Sequence, residues 1–171
     1  MKPIYFLSLL FIFSCQNEVD NSDIDTAIEK YGETDFSYFD NTFIGIREKN
    51  RSVVTYIVGK SEGDLPVYFV RYSVGNDDVI EIDKTALVKK NVEDYFTFIR
   101  IQKLIENFRK FNLSLLEVDK DGNIFINPFE INEPAVLLRL AKPSNNKEIK
   151  KGFVYKHYTD RWYTRKNSKG A

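Results

Sequence analysis

Three carboxylates spaced two residues apart form the first group in this sequence whose types and spacing could do chemistry. They are Glu117, Asp119 and Asp121, in the segment EVDKDGN. Many hydrolases use two such acids as general acid and nucleophile or base when the carboxyl groups lie about 5–10 Å apart. The spacing along the chain supplies candidate acids for hydrolysis, but it does not give their separation in space.

The same segment also fits two other structures, a calcium loop and a β-hairpin. If Gly122 takes the sixth position of an EF-hand loop, Pro128 falls at the twelfth, where a bidentate Glu is required. Asp121 and Gly122, in contrast, separate two apolar segments, and glycine accepts the positive φ of a tight hairpin turn. We therefore predict a hairpin at this point and no metal site.

The sequence contains one cysteine, Cys15, and one histidine, His157, so any thiol or imidazole chemistry depends on these two residues. A single Cys forms no internal disulfide and cannot build a thiolate metal site alone. No Gly-x-Ser-x-Gly segment accompanies the single His, so a Ser-His-Asp triad has little support. We predict no cofactor, no metal and no catalytic residue, and we favour a protein without enzymatic activity.

The most distinctive segment lies near the C-terminus, where aromatic and cationic residues alternate in FVYKHYTDRWYTRK at 153–166. Aromatic rings beside Arg side chains are typical anchors of binding interfaces. The ligand-binding residues predicted from this pattern are Tyr155, His157, Tyr158, Arg161, Trp162, Tyr163 and Arg165. The same pattern also fits a pair of core strands with Lys and Arg on the solvent side, and that alternative remains open here.

The N-terminus has the pattern of an export signal. Lys2 precedes an apolar run at 4–13, which is interrupted only by Ser8 and is shorter than the roughly 20 residues of a membrane span. The run ends in Ile12-Phe13-Ser14-Cys15, which resembles the lipobox of Bacteroidota-type bacterial lipoproteins. The resemblance covers only about the first 25 residues.

That resemblance implies removal of residues 1–14 and attachment of lipid to Cys15. Diacylglycerol would join the thiol, and the new amino group would be acylated, with palmitate as the expected fatty acid. Several buried acyl chains anchor a protein firmly, because each methylene contributes about 0.8 kcal/mol. The implied location is the cell envelope, on the outer membrane, facing either the periplasm or the cell surface.

An acidic segment follows Cys15. Residues 16–40 contain eight acids and one base, whereas 142–171 contain nine bases and two acids. We predict a solvated tether over 15–40, reaching roughly 25–30 Å, in which a short helix could form before Gly32 with Asp23 as its cap. The whole chain has a formal net charge of zero, so it offers no global field for nucleic acid, and we expect none as a partner.

The remainder, 41–171, is predicted to be one α+β domain. Hydrophobic residues make up 43% of the chain, which is enough for a packed core. Strand patterns recur from 42–48 to 161–165, with a hairpin turn at 49–51 and a polar loop at 143–151. A helix is expected to begin at Asn91, although a strand over YFTFIRI is also possible. We expect a mostly antiparallel sheet of about eight strands packed by one main helix.

Taken together, these patterns favour an anchored envelope protein that acts as a non-enzymatic binding module for a protein or glycan ligand. An immunity or inhibitor lipoprotein is one form of this hypothesis. The first alternative is an envelope hydrolase that uses paired carboxylates. The second is a structural envelope component.

Overall fold

The protein forms one highly curled antiparallel sheet with helices on one face. The computed structural model describes residues 19–62 and 65–166. Ten strands pair in the order β4-β3-β2-β1-β5-β6-β7-β10-β9-β8. This is the expected α+β architecture, but the strand count is ten rather than about eight.

The strands form three runs of sequential antiparallel neighbours, β1 to β4, β5 to β7 and β8 to β10, which join in the sheet through the β1–β5 and β7–β10 pairs. Their bounds are β1 Thr42–Lys49, β2 Val53–Gly59, β3 Tyr68–Ser73, β4 Asp78–Asp83, β5 Leu115–Val118, β6 Ile124–Asn127, β7 Leu137–Arg139, β8 Glu148–Lys151, β9 Phe153–Thr159 and β10 Trp162–Arg165. The helices are α1 Asn21–Tyr31, α2 Thr85–Lys89 and α3 Phe98–Phe108, and a 3₁₀ turn spans Ser37–Phe39. No helix among the described residues is long and apolar enough to cross a membrane.

Both predicted hairpin turns are confirmed. The Asn50 N–H donates to the carbonyl of Val53 at 3.0 Å between β1 and β2. Gly122 has a φ of 77° between β5 and β6, which explains why glycine is needed there. The strand β8, however, lies inside the segment predicted as a polar loop. Its sequence EIKK has a single apolar residue and no alternating pattern, because it is an edge strand exposed to solvent.

The predicted helix start at Asn91 is wrong. Asn91 has a φ of 52° just after α2, and the α3 helix begins six residues later with Thr97 as its cap. The Thr97 hydroxyl accepts from the Arg100 N–H at 3.2 Å. The buried face of α3 consists of Ile101, Leu104, Ile105 and Phe108, which recur at three- and four-residue spacing. Two helices of 11 residues, α1 and α3, replace the single main helix of the prediction.

The segment before α3 is held in a loop by the hydroxyl of Tyr68. That oxygen accepts from the N–H groups of Tyr95 at 3.0 Å and Phe96 at 3.1 Å. The rings of Tyr68 and Tyr95 lie 4.9 Å apart in an edge-on contact. These tertiary contacts override the helical pattern and exclude the alternative strand over YFTFIRI.

Residues 19–40 are part of the folded domain rather than a solvated tether. The α1 helix buries Ile24, Ala27 and Tyr31, and its cap is Asp20 instead of the predicted Asp23. Phe36 and Phe39 are each 1% exposed. The acidic residues lie on the outer side of α1, so the acidic composition hid an amphipathic helix.

Alternate residues of β5, β6, β7 and β10 face two separate cores. One core lies under the helices and includes Ile44, Val58, Tyr68, Leu116 and Trp162. The other is a smaller cluster that consists of Leu115, Phe125, Ala135, Leu138, Leu140, Tyr155 and Tyr163. The β8 edge curls back toward β5, as shown by the 3.0 Å contact between Lys151 Nζ and Asp119 Oδ2. The candidate site lies between β5 and the turn that joins β8 to β9, where the edge of the sheet approaches its centre.

Candidate functional site

The structure does not bring the predicted C-terminal aromatic residues together on a surface. Tyr155, Trp162 and Tyr163 are 1%, 4% and 0% exposed. Trp162 belongs to the core under the helices, whereas Tyr155 and Tyr163 belong to the smaller cluster on the opposite face. These positions favour the alternative interpretation of the segment as a pair of core strands.

The remaining residues of that prediction lie at separate points around the two strands, except that the His157 ring contacts the Tyr163 ring at 5.2 Å between centroids. The exposed ring of His157 lies 3.1 Å from the carbonyl oxygen of Asp160 through Nε2. The Tyr158 hydroxyl donates to Asp25 at 2.7 Å. Half-buried Arg161 lies near the carbonyls that end β7, and Arg165 stacks 5.3 Å from the ring centroid of Phe153. None of these contacts creates a shared concave surface.

A cavity of about 600 Å³ instead occupies the sheet face opposite the helices. Its floor comes from β1, β5 and β6, and the turn between β8 and β9 forms one wall. The lining residues are Phe43, Ser61, Glu62, Leu115, Glu117, Asp119, Lys120, Asp121, Phe125, Pro134, Ala135, Lys151, Gly152, Phe153 and Tyr155. A concave site with apolar walls and a few polar groups is the usual form of a ligand site.

Glu117 is the cavity acid without an ion-pair partner among the described residues. It points to the cavity side of β5, and the Ser61 hydroxyl donates to its Oε1 at 2.6 Å. Burial raises the pKa of Glu117, and the neighbouring Asp119 adds to that increase, whereas the Ser61 hydrogen bond and the positive charge of Lys151 oppose it. The cavity therefore contains a carboxylate that is incompletely compensated by the protein itself.

Asp119 is fixed by the turn that follows it. Its Oδ1 accepts from the N–H groups of Asp121 and Asn123, each at 2.9 Å. Its Oδ2 accepts from Asn123 Nδ2 at 2.9 Å and from Lys151 Nζ at 3.0 Å. Burial opposes ionisation of Asp119, but these bonds outweigh it and hold the pKa of Asp119 below its ordinary value. The side chain closes the hairpin and ties β8 to β5.

The cations that line the cavity are already paired. Lys151 lies 3.0 Å from Asp119 and 3.6 Å from Asp121, and the pKa of Lys151 is raised chiefly by the hydrogen bond to Asp119. Lys120 contacts Glu62 at 3.0 Å. In the described part of the chain, no group of three or more His, Cys, Asp or Glu side chains is arranged to hold a metal ion.

The carboxylates predicted as hydrolase candidates therefore share one cavity, although only Glu117 is free of ion pairs within the described residues. Sequence reasoning missed Ser61, Phe43 and Lys151, which come from distant parts of the chain. The usable signal was the alternation of Leu115, Glu117 and Asp119 along a strand, which places all three on one face.

Replacing Glu117 by Gln is expected to raise the thermal stability at neutral pH. A carboxyl whose folded pKa is raised binds more protons in the folded state, so stability falls as pH rises through that pKa. The Gln variant keeps an acceptor for Ser61 and avoids this loss. Melting temperatures measured across the pH range should be higher for the variant than for the native protein at pH 7. They should be equal at about pH 3, where Glu117 is protonated in both the folded and the unfolded state. A constant difference at every pH would contradict the burial of a charge, and Glu106→Gln on exposed α3 is the matched control.

Comparison with known proteins finds no similar protein. A scan against protein-family models, a search of curated proteins and a search of solved structures each find no match to this chain.

Proposed function

We propose that the protein is a lipid-anchored, non-enzymatic binding module of the bacterial envelope, and that the cavity beside Glu117 is its ligand site. The observation that carries the proposal is a cavity of about 600 Å³ with aromatic walls and a half-buried carboxylate that has no ion-pair partner among the described residues. A ligand donor at that carboxylate would satisfy a group that the protein leaves partly unsatisfied. The predicted C-terminal patch has weaker support, because its largest rings are in the core.

The anchor is proposed from the sequence alone, since Cys15 lies outside the described residues. The folded domain begins at Asp20, the cap of α1, only five residues beyond Cys15. A fully extended chain of that length reaches at most about 17 Å. The proposed anchor would thus hold the domain near the membrane surface, much closer than a 25-residue tether would. Mass spectrometry of the mature N-terminus tests for the diacylglyceryl and acyl groups on Cys15.

A carboxylate hydrolase is the second candidate. It is favoured by the shared cavity of Glu117 and Asp119, whose pKa values are shifted in opposite directions, a pattern typical of an acid paired with an ionised partner. The four hydrogen bonds to Asp119 count against this role, because they occupy both carboxylate oxygens. Hydrolysis of any glycan or ester that is lost in both Glu117→Gln and Asp119→Asn, with the fold intact, would favour the enzyme over the binding module.

Site-specific photocross-linking in the producing cells tests where a ligand binds. The probe p-benzoylphenylalanine replaces Phe153, which is 47% exposed at the cavity rim, or Phe98, which is 54% exposed on α3. We expect a cross-linked ligand from position 153 and none from position 98. The adduct at 153 should disappear when the cavity also carries Glu117→Gln.

Equal adducts at both positions would indicate nonspecific contact and overturn the assignment. The absence of an adduct at 153 under conditions in which the anchored protein is present would also count against the cavity. Both variants change a surface-exposed Phe to a larger aromatic residue, so their effects on folding are matched.

A further inference from the structure

The cavity continues into a second, apolar pocket. That pocket has a volume of about 290 Å³ and shares Phe43, Leu115 and Pro134 with the cavity. Its other lining residues are Gly45, Ile46, Ile57, Ser114, Asn132 and Glu133. The two pockets together form a groove across β1 and β5, which we call the β1–β5 groove. One end is apolar and the other contains Glu117.

Gly45 at the apolar end is not required by the packing of the protein itself. A Cβ on Gly45 would meet Ser114 O at 3.5 Å and Leu115 Cβ and Cγ at 3.8 Å, which are ordinary van der Waals distances. Gly45 is not among the residues with positive φ. Glycine inside a strand costs about 0.5–1 kcal/mol relative to Ala and often marks close approach of a ligand or another backbone. Gly45 is itself buried and lines the pocket, and its missing Cβ leaves space beside Ser114 and Leu115 at the apolar end.

The groove has an excess of negative charge. Its lining includes five acids (Glu62, Glu117, Asp119, Asp121 and Glu133) and two bases (Lys120 and Lys151), a net charge of −3. The two Lys residues are paired with Glu62, Asp119 and Asp121. The charge that remains available to a ligand is concentrated at Glu117 and Glu133.

The spacing between the two ends matches the repeat of an extended peptide. Gly45 pairs with Leu115, and Phe43 pairs with Glu117, so Gly45 and Glu117 are diagonal neighbours on adjacent strands. Such neighbours lie about 7–8 Å apart, close to the 6.5–7 Å between alternate side chains of a β-strand. An extended chain running along β1 could place side chains i and i+2 in the two ends.

We infer that the β1–β5 groove binds an extended basic segment of a partner protein, with an apolar side chain over Gly45 and a Lys or Arg two residues away at Glu117. The inference rests on the proposed function, since it names the ligand class of the same cavity. The basic residue would meet the Glu117 carboxylate, and the rings of Phe43 and Phe153 would line the path of its aliphatic stem. The acidic segment at 16–40 of the protein itself lacks the required charge.

Calorimetry with short synthetic peptides tests the inference directly. The probe is acetyl-Ser-Thr-Leu-Thr-Lys-Thr-Ser-amide, titrated into the full-length lipidated protein in neutral detergent. We expect binding that weakens at least about tenfold when Lys is replaced by Glu, which corresponds to about 1.4 kcal/mol. Moving Lys next to Leu should also weaken binding, because neighbouring side chains point to opposite faces.

Two protein variants test the two ends separately. Glu117→Gln removes the charge, and Gly45→Val fills the apolar end; each should weaken the Leu-Thr-Lys peptide about tenfold or more. Two matched controls should stay within about twofold of the native protein. Glu106→Gln removes an acid from α3, and Gly75→Val adds the same side chain where nothing lies within 4 Å.

The outcomes separate this inference from the proposed function. Equal binding of the Lys and Glu peptides, or native affinity in Glu117→Gln, overturns the basic-segment inference. If no peptide binds while the cross-link at position 153 forms, the ligand class is wrong and the binding module stands. If both are absent, the proposed function fails as well. A Gly45→Val protein that does not fold leaves Glu117→Gln as the deciding variant.

Discussion

Trp162→Ala is expected to destabilise the domain by about 3–5 kcal/mol, the range for removing a large aromatic side chain from a core. Trp162 is 4% exposed and belongs to the core between the sheet and the helices. Its strand β10 pairs with both β7 and β9, so the cavity left by the indole would lie where three strands meet. Chemical denaturation monitored by far-ultraviolet circular dichroism measures this loss.

Two comparison variants separate burial from ligand contact. Trp162→Phe keeps much of the apolar volume and should cost less than Trp162→Ala. Arg161→Ala removes a half-buried cation whose contacts to the carbonyls of Leu140 and Ala141 are 3.5 and 3.3 Å, and it should cost under about 1 kcal/mol. Native stability in Trp162→Ala would contradict the buried position and restore the aromatic patch as a surface. If Trp162→Ala is destabilised as expected, its loss of ligand capture would reflect unfolding and not the loss of a ligand contact.

The strands and their turns were predictable because their signals are local. β2 alternates Val54, Tyr56 and Val58 on the buried face, and the turn residues between strands have the types that tight turns require. The body of α3 was also indicated locally, by the three- and four-residue spacing of Ile101, Leu104, Ile105 and Phe108. Its beginning was not, since Thr97 competes with Asn91 as a cap and the choice depends on the distant Tyr68 hydroxyl.

Composition did not predict what each face of a strand packs against. The C-terminal aromatic residues looked like surface anchors because cations separate them along the chain. The sheet curls so far that it has a packed core on each face, and Tyr155 and Tyr163 fill the smaller one. An alternating pattern of aromatic and charged residues does not show whether each ring contacts a ligand or packs into a second core.

The candidate site was predictable in part. Glu117, Asp119 and Asp121 were identified by their spacing, but Ser61 and Lys151 lie 56 and 32 residues away from their carboxylate partners. Such pairs depend on strand order, which local patterns do not determine. The same limit explains why Asp119 looked like a free acid, although a Lys from the far edge of the sheet binds it.

Arg139→Met is expected to cost about 2–4 kcal/mol, because it removes a buried donor from several backbone carbonyls at once. Arg139 is 8% exposed, and its guanidinium donates to Tyr31 O at 2.8 Å, to Gly32 O and to Thr34 O at 2.9 Å. Two of these carbonyls end α1, where a cation is favoured by the helix dipole. Burial lowers the pKa of Arg139, but Arg remains protonated at neutral pH. Met fills similar volume without the donors, so the variant isolates the hydrogen bonds.

The consequence should be local as well as global, because Arg139 on β7 adds its hydrogen bonds to the buried side chains that hold residues 19–40 on the sheet. Limited proteolysis of the variant should cut within 19–40 before the rest of the domain, and the urea midpoint should fall. Arg139→Lys keeps the charge but not the planar fork that reaches three carbonyls, so it should lose an intermediate amount. Arg161→Met, which changes the same side chain at a half-buried site with long contacts, should leave both measurements near the native values. If Arg139→Met were as stable and as resistant to protease as that control, the Arg139 hydrogen bonds would contribute little, and the buried side chains of Ile24, Tyr31 and Phe36 would suffice to hold residues 19–40 on the sheet.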